Sequence, residues 1–266
     1  MDKIRVLVAG AYGRMGREVV KAVVAQEDLE LVGAVDKAGG GEDIGEVCGL
    51  GRLGLTVETE LTAALKNTAP AVMVDFTSPL TVMDNIKAAL AAGVAAVVGT
   101  TGLTEENLDE VTELAARTGR GVVVAPNFAL GAVLMMRFAK EAAKYFPDVE
   151  IIELHHDRKI DAPSGTALKT AEMIAAGRVA EPGSKPAPLE KINGARGGEY
   201  LGTKIHSVRL PGFVAHQEVI FGGPGQILTI RHDSLDRASF MPGVLLAIRR
   251  APGIKGLVYG LDALID

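Results

Sequence analysis

Three glycines, Gly10, Gly13 and Gly16, stand at three-residue spacing between a short apolar run, Ile4 to Ala9, and a segment where Val19, Val20, Val23 and Val24 recur at helical spacing. A chain with that order has few folds open to it. The apolar run is rich in β-branched residues and reads as a buried strand. The glycines then permit a tight turn, close approach of backbone to a ligand, and close helix–strand packing. Leu29 to Val35 reads as a second strand ending at Asp36, which completes a strand–loop–helix–strand unit.

The alternation continues downstream. Ala71 to Phe76, Val94 to Val98 and Gly121 to Ala125 read as buried strands. Pro79 is expected to open a helix through Ala92, and Thr104-Glu105-Glu106-Asn107 to cap another that Gly119 ends. Apolar strands alternating with helices imply a parallel sheet covered on both faces, a Rossmann-like doubly wound α/β fold.

After Pro126 the pattern changes. A helix near Leu130–Tyr145 leads to a strand at Val149–His155, a polar loop, and a helix at Ser164–Ala176. Gly177 to Gly198 lacks periodicity and is rich in Gly and Pro, as a long surface loop would be. Runs at Lys204–Leu210, Val214–Phe221 and Gln226–His232, separated by Pro-Gly and Gly-Gly-Pro-Gly, look like antiparallel strands. Arg237–Arg250 returns to helical spacing. The expected organisation is a dinucleotide-binding domain over residues 1–126 and 237–266, and a smaller α+β domain with a mixed or antiparallel sheet over 127–236.

Composition narrows the function. At 266 residues, with 48% hydrophobic and 23% charged residues, the chain has the makings of a real core. A formal net charge of −5 argues against a nucleic-acid partner, and the absence of tryptophan against stacking platforms for single strands. Cys48 is the only cysteine, so no intrachain disulfide can form, which suits a reducing cytoplasm. No apolar run is long enough to span a membrane, and residues 1–8 read as a strand rather than a signal peptide.

In the first domain the loop Gly10-Ala11-Tyr12-Gly13-Arg14-Met15-Gly16 is the expected pyrophosphate cradle, although its Gly-x-x-Gly-x-x-Gly spacing is a variant of the usual fingerprint. Asp36 falls ~20 residues on, where a carboxylate accepts hydrogen bonds from a ribose 2′-OH. Lys37 beside it, with Arg14, suits a 2′-phosphate, so acceptance of both NADH and NADPH is expected. Turns at the other strand ends, with Phe76, with Gly99, Thr100 and Thr101, and with Ala125, Asn127 and Phe128, should border the same crevice.

The second domain holds the densest chemistry, His155-His156-Asp157-Arg158-Lys159-Ile160-Asp161-Ala162-Pro163-Ser164-Gly165-Thr166-Ala167. Imidazoles move protons near neutral pH. Lys159 supplies a compact positive charge. A Ser-Gly-Thr helix start offers N–H groups to a carboxylate. Together they describe a pocket that grips an acidic small molecule and protonates it. Adjacent extended residues point to opposite faces, so His155, His156 and Asp157 converge poorly on one metal ion, and no metal is expected. The turn lacks the Gly-x-x-x-x-Gly-Lys-[Ser/Thr] pattern of a P-loop.

With both motifs read, the chain resembles the dihydrodipicolinate reductase family, also described as 4-hydroxy-tetrahydrodipicolinate reductases, over nearly its whole length. The likeness is most specific from Glu153 to Ala167, and clear at Val8 to Gly16, Gly99-Thr100-Thr101-Gly102 and Pro126-Asn127-Phe128. It weakens at Gly202-Thr203-Lys204-Ile205 and Ala215-His216-Gln217-Glu218. The resemblance implies hydride transfer from NAD(P)H to a cyclic dicarboxylate imine with loss of a hydroxyl as water, a step of diaminopimelate–lysine biosynthesis. It implies His155 as proton donor, Lys159 as its catalytic partner, His156 against substrate, and Ser164, Gly165 and Thr166 on a substrate carboxylate. It also implies a homotetramer and two domains closing over their ligands.

Two rival readings remain at this stage. One is a different oxidoreductase of this build, such as an aldehyde or amino-acid dehydrogenase; phosphorylating aldehyde dehydrogenases need a nucleophilic cysteine, and Cys48 lies too early, in an N-domain loop. A non-catalytic NAD(P)-binding regulator would bind cofactor without oxidising NADH.

Overall fold

Each short run of β-branched residues becomes a strand, and each helical stretch between two of them carries the chain back across the sheet. The computed structural model describes residues 2–179 and 189–265. In chain order the elements are β1 (Ile4–Ala9), α1 (Arg14–Val24), β2 (Leu29–Val35), α2 (Ile44–Cys48), β3 (Val57–Glu58), α3 (Leu61–Thr68), β4 (Val72–Asp75), α4 (Val82–Ala91), β5 (Ala95–Val98), α5 (Glu105–Thr118) and β6 (Gly121–Val124). There follow α6 (Leu130–Ala142), β7 (Asp148–His155), α7 (Gly165–Gly177), β8 (Gly198–Tyr200), β9 (Thr203–Arg209), β10 (Ala215–Gly223), β11 (Gln226–Ser234), α8 (Met241–Arg250) and β12 (Gly256–Tyr259).

The chain divides into two units, Met1–Phe128 with Phe240–Asp266, and Ala129–Ser239. In the first unit seven strands run in the order β12-β6-β5-β4-β1-β2-β3, all pairs parallel. Val6, Leu7 and Val8 on β1 and Val72, Met73 and Val74 on β4 are completely buried, as strands covered on both faces must be. The capping sequence before α5 acts as expected. Thr104 accepts from the Asn107 backbone while the Asn107 side chain accepts from the Thr104 N–H. The helix expected from Pro79 begins later, at Val82. Ser78 first closes a turn, its carbonyl accepting from the N–H groups of both Thr81 and Val82. The C-terminal strand β12, not anticipated from the sequence, extends the sheet beyond β6.

Two glycines decide how the first helix meets the sheet. Gly10 has φ of +80°, a left-handed conformation that suits glycine, and an added Cβ there would lie 2.4 Å from the Phe76 carbonyl oxygen. Gly16 has an ordinary φ, but its Cβ would lie 2.0 Å from the Gly10 carbonyl oxygen. The opening turn of α1 therefore packs directly on the loop that precedes it.

The second unit is a five-stranded sheet in the order β11-β10-β7-β9-β8. β10 pairs antiparallel with β7 and β11, and β8 antiparallel with β9. β9 runs parallel to β7 and opposite to β10, so the three runs β9, β10 and β11 alternate in direction as expected, and the sheet is mixed. Between β7 and β9 the sequence carries α7 and then the short strand β8, from which the chain turns back antiparallel into β9. Of the expected loop over 177–198, residues 180–188 lie outside the described residues. Along β7 the buried row is Val149, Ile151 and Glu153, so a carboxylate occupies a position that alternation would give to an apolar side chain.

Gly16→Ala is expected to lower unfolding free energy by about 1–3 kcal/mol, the range for forcing atoms into a packed site. Guanidinium denaturation checks this, and a wild-type midpoint with a wild-type slope would contradict the contact.

Candidate active site

The first unit builds its crevice from backbone. β1 delivers the chain to Gly10, whose N–H, like that of Ala11, donates to the Val35 carbonyl. Gly13 caps α1 with no side-chain cap, and the helix ladder starts with the Arg17 N–H donating to the Gly13 carbonyl. The amides of Arg14, Met15 and Gly16 thus lie ahead of the ladder at a helix N-terminus, the arrangement that holds phosphate. Tyr12 lies across the loop, its carbonyl accepting from Arg17 Nε at 2.9 Å and its ring 4.6 Å from that guanidinium carbon.

Asp36, at the end of β2, accepts from the Tyr12 N–H at 3.0 Å and from the Ala38 N–H at 3.0 Å. A cavity of about 330 Å³ is lined by Gly10, Gly13, Asp36, Lys37 and Phe76, five residues expected from the sequence, together with Thr77 and others. Phe76 also packs against Gly99 and lies 5.9 Å, centroid to centroid, from Phe128. Thr100 donates to Asp75 at 2.6 Å, Ala125 donates its N–H to the Val98 carbonyl, Asn127 is half-buried and Thr101 is exposed. The expected turns therefore come together at one edge of the sheet. The bare cradle of Gly10, Gly13 and Gly16, where side chains at the first and last would collide with backbone, and the carboxylate beside the cavity fit a dinucleotide.

Asp75 anchors those turns. Fully buried, it accepts from Thr100 Oγ1, from the Thr77 N–H and hydroxyl, and from Asn85 Nδ2 at 2.7 Å. The loop after β4 is thereby tied to the loop after β5. Cys48 is buried, and burial pushes its thiol up from its ordinary value, which leaves it a poor nucleophile.

In the second unit His155 ends β7 and is half-buried. Its Nδ1 is hydrogen-bonded to Glu153, two residues earlier on the same face of the strand. The other Glu153 oxygen accepts from the Ser164 N–H at 3.2 Å, and Arg209 clamps both oxygens at 2.8 and 2.7 Å. Arg209 also donates to the Asp161 carbonyl at 2.7 Å. Ser164 caps α7, its hydroxyl accepting from the Ala167 N–H, and the ladder starts with Leu168 donating to the Ser164 carbonyl. The amides of Gly165 and Thr166 stand ahead of that ladder, and Gly165 has open space around it. His155 and the Ser164 turn are thus joined through one carboxylate.

The other residues of the segment are placed differently. His156 is half-buried, and its Nδ1 has no hydrogen-bond partner among the described residues. Lys159 is engaged by both oxygens of Asp161 at 2.7 Å, a pairing that the sequence reading did not include, and the ammonium holds the Asp161 carboxyl below its ordinary value. No group of three or more His, Cys, Asp or Glu side chains suited to a metal ion occurs among the described residues.

Two residues of the cluster were missed from sequence. Glu153 carried a signal, because period two places it on the His155 face inside an apolar strand. Arg209 carried none, since it reaches the cluster from 56 residues away.

A glycine-loop nucleotide fold joined to a mixed-sheet unit bearing an oriented histidine defines a nicotinamide-dependent oxidoreductase of two-unit build. Residues 4–128 match the model for the N-terminus of dihydrodipicolinate reductase and residues 131–265 that for its C-terminus, so the chain belongs to the dihydrodipicolinate reductase family. It is 57% identical, over all of both chains, to a 4-hydroxy-tetrahydrodipicolinate reductase of Desulfitobacterium hafniense. It is 55% identical to one of Syntrophomonas wolfei, over 99% of each chain. Among solved structures, a dipicolinate-bound dihydrodipicolinate reductase from Paenisporosarcina sp. TG-14 superimposes with a TM-score of 0.88 at 47% identity, over 99% of this chain and 100% of that one. An amine dehydrogenase from Mycobacterium smegmatis, 17% identical with a TM-score of 0.67, shares the fold.

Burial acts to raise the Glu153 carboxyl, but hydrogen bonds from His155, Arg209 and Ser207, with the His155 charge, outweigh it and hold the group at about 2. A depressed carboxylate stabilises the fold above its ordinary value of 4.5 and loses that contribution as pH falls through about 2. Unfolding free energy measured between pH 6 and pH 2 is therefore expected to drop below about pH 4.5, and less steeply for Glu153→Gln than for wild type. Equal slopes in the two proteins would contradict the assignment.

Proposed function

We propose that this chain is an NAD(P)H-dependent 4-hydroxy-tetrahydrodipicolinate reductase, yielding tetrahydrodipicolinate and water in diaminopimelate–lysine biosynthesis. The observation that carries the reading is a full-length relation at 57% identity to enzymes of that name, in a chain whose half-buried His155 shares a carboxylate with a helix-start turn. That the Paenisporosarcina relative binds dipicolinate supports a cyclic dicarboxylate as the ligand.

The nicotinamide cofactor, when bound, supplies the hydride. The chain's own residues do the rest. The amides ahead of α1 hold pyrophosphate, and Asp36 meets the adenosine ribose. The Gly165 and Thr166 amides and the Ser164 and Thr166 hydroxyls hold one substrate carboxylate, and Lys159 and His156 meet the remaining polar groups of the substrate. Reduction of a conjugated imine leaves electron density on the ring that a proton must quench. His155, its Nδ1–H kept by Glu153, gives that proton from Nε2. Asp161 keeps the Lys159 ammonium extended until a substrate carboxylate competes for it.

Both cofactors fit this reading: Asp36 retains acceptor capacity for a 2′-OH, and Lys37 is exposed beside it for a 2′-phosphate. Assembly into a homotetramer is proposed through the second unit's sheet, whose outer strand β11 exposes Ile227 and Leu228. A cytoplasmic location accords with the lone, unpaired Cys48.

The test is a coupled assay in which the hydroxylated substrate is generated in situ and NADH and NADPH oxidation are followed. Consumption of either cofactor supports the reading, and no consumption of either overturns it. His155→Gln is expected to cut kcat by roughly 10²–10⁴-fold with NADH affinity intact. Lys37→Ala should lower kcat/KM with NADPH about 10-fold more than with NADH. Light scattering reads the assembly state.

A further inference from the structure

Glu153 is completely buried, and its hydrogen bonds tie the chemistry-bearing segment to Arg209 and Ser207 on β9. One oxygen meets His155 Nδ1 and the other meets the Ser164 N–H. Arg209 spans both and reaches on to the Asp161 carbonyl, inside the loop that separates them. The proton donor and the carboxylate-gripping turn, nine residues apart in sequence, are therefore registered to each other through a single rigid carboxylate. A backbone strand carries Glu153 at the centre of the sheet, with β10 and β9 paired on either side. An anion that is hydrogen-bonded to Nδ1 fixes which ring nitrogen keeps its proton and which faces outward.

We propose that Glu153 is a positioning residue for the reduction. It holds the His155 ring with its proton on Nδ1, so that Nε2 delivers the proton, and it fixes the Ser164 turn at a set distance from that nitrogen. Arg209 completes the device by its two parallel bonds, which prevent the carboxylate from rotating. The proton balance is simple. The imidazolium Nε2–H bond breaks, the proton goes to the reduced substrate, and Nδ1–H stays on Glu153; water then reprotonates Nε2. This inference rests on His155 being the proton donor.

Glu153→Gln tests it. The amide oxygen would turn to the Arg209 guanidinium, leaving the amide N–H₂ facing Nδ1, which must then give up its proton and accept. The measurement is ¹⁵N NMR of histidine-labelled full-length protein, with the His155 signals among five histidines assigned by their loss in His155→Gln. The neutral ring should carry its proton on Nδ1 in wild type and on Nε2 in Glu153→Gln. In the variant kcat should fall about 10–100-fold and substrate KM rise, while NADH binding, which uses the other unit, stays as in wild type.

A wild-type spectrum showing the neutral ring protonated on Nε2 overturns the proposal, and does so even where the variant fails to fold. Wild-type kcat in a folded Glu153→Gln protein overturns it as well. A Glu153 that merely supports the fold would shift the melting temperature and leave the tautomer unchanged. Full turnover in His155→Gln would instead remove the proton-donor assignment itself, so the two failures are distinguishable.

Discussion

Removing a carboxylate from water costs several kcal/mol unless opposite charge and hydrogen bonds are supplied to it inside the protein. At Glu153 they arrive from three directions: a guanidinium on β9, an imidazole at the end of its own strand, and the first amide of α7's cap. Loss of the guanidinium would leave the Glu153 charge uncompensated, and loss of either other donor would leave one of its oxygens a hydrogen bond short. The polar loop from His156 to Pro163 is consequently pinned at both ends and again at Asp161, although Ile160 and Asp161 are exposed. The chemistry-bearing segment owes its definition to this one buried anion more than to apolar packing.

The first unit uses the same device. Asp75, also fully buried, gathers donors from Thr77, Asn85 and Thr100 and so fixes the turns after β4 and β5. Those turns present Phe76 and Gly99, which pack on each other and toward Phe128. In both units a carboxylate at the carboxyl end of a strand sets the loops, while helix starts offer the amides. Strand ends are where side chains of neighbouring turns can converge, which is why ligand crevices of open sheets form there.

How much of this could be read in advance depended on the range of the interactions. β1, the glycine loop, α1 and β2 were legible because each is specified by its own ten residues. The α5 cap was legible for the same reason, Thr104 and Asn107 being three apart. The start of α4 was displaced because Pro79 signals a turn as readily as a helix, and the Ser78 carbonyl decided between them. The pairing of β9 with β7 was hidden because alternation reports that a strand exists and not which neighbour it joins. β12 and the Arg209 contact were equally hidden, both being fixed by pairing with distant chain. At the candidate site the residue types were legible and their wiring was not. Asp161 engages Lys159, and the group that holds His155 stands two positions upstream.

The parallel pairing of β7 with β9 has a bearing on how such a protein can change. β7, its loop and α7 follow one another as β1, the glycine loop and α1 do, although here the short strand β8 precedes the parallel partner β9. In each unit a strand hands over to a helix whose first amides precede the helix ladder, and in the second the sheet itself holds that handover through Glu153 and Arg209. Exposed side chains of that segment, such as Arg158 and Ile160, can therefore be exchanged without touching these bonds, whereas a change in its length would pull Asp161 and Ser164 away from Arg209 and Glu153. Variation at that junction is thus channelled into its outward-facing side chains, while its span stays set by the buried carboxylate.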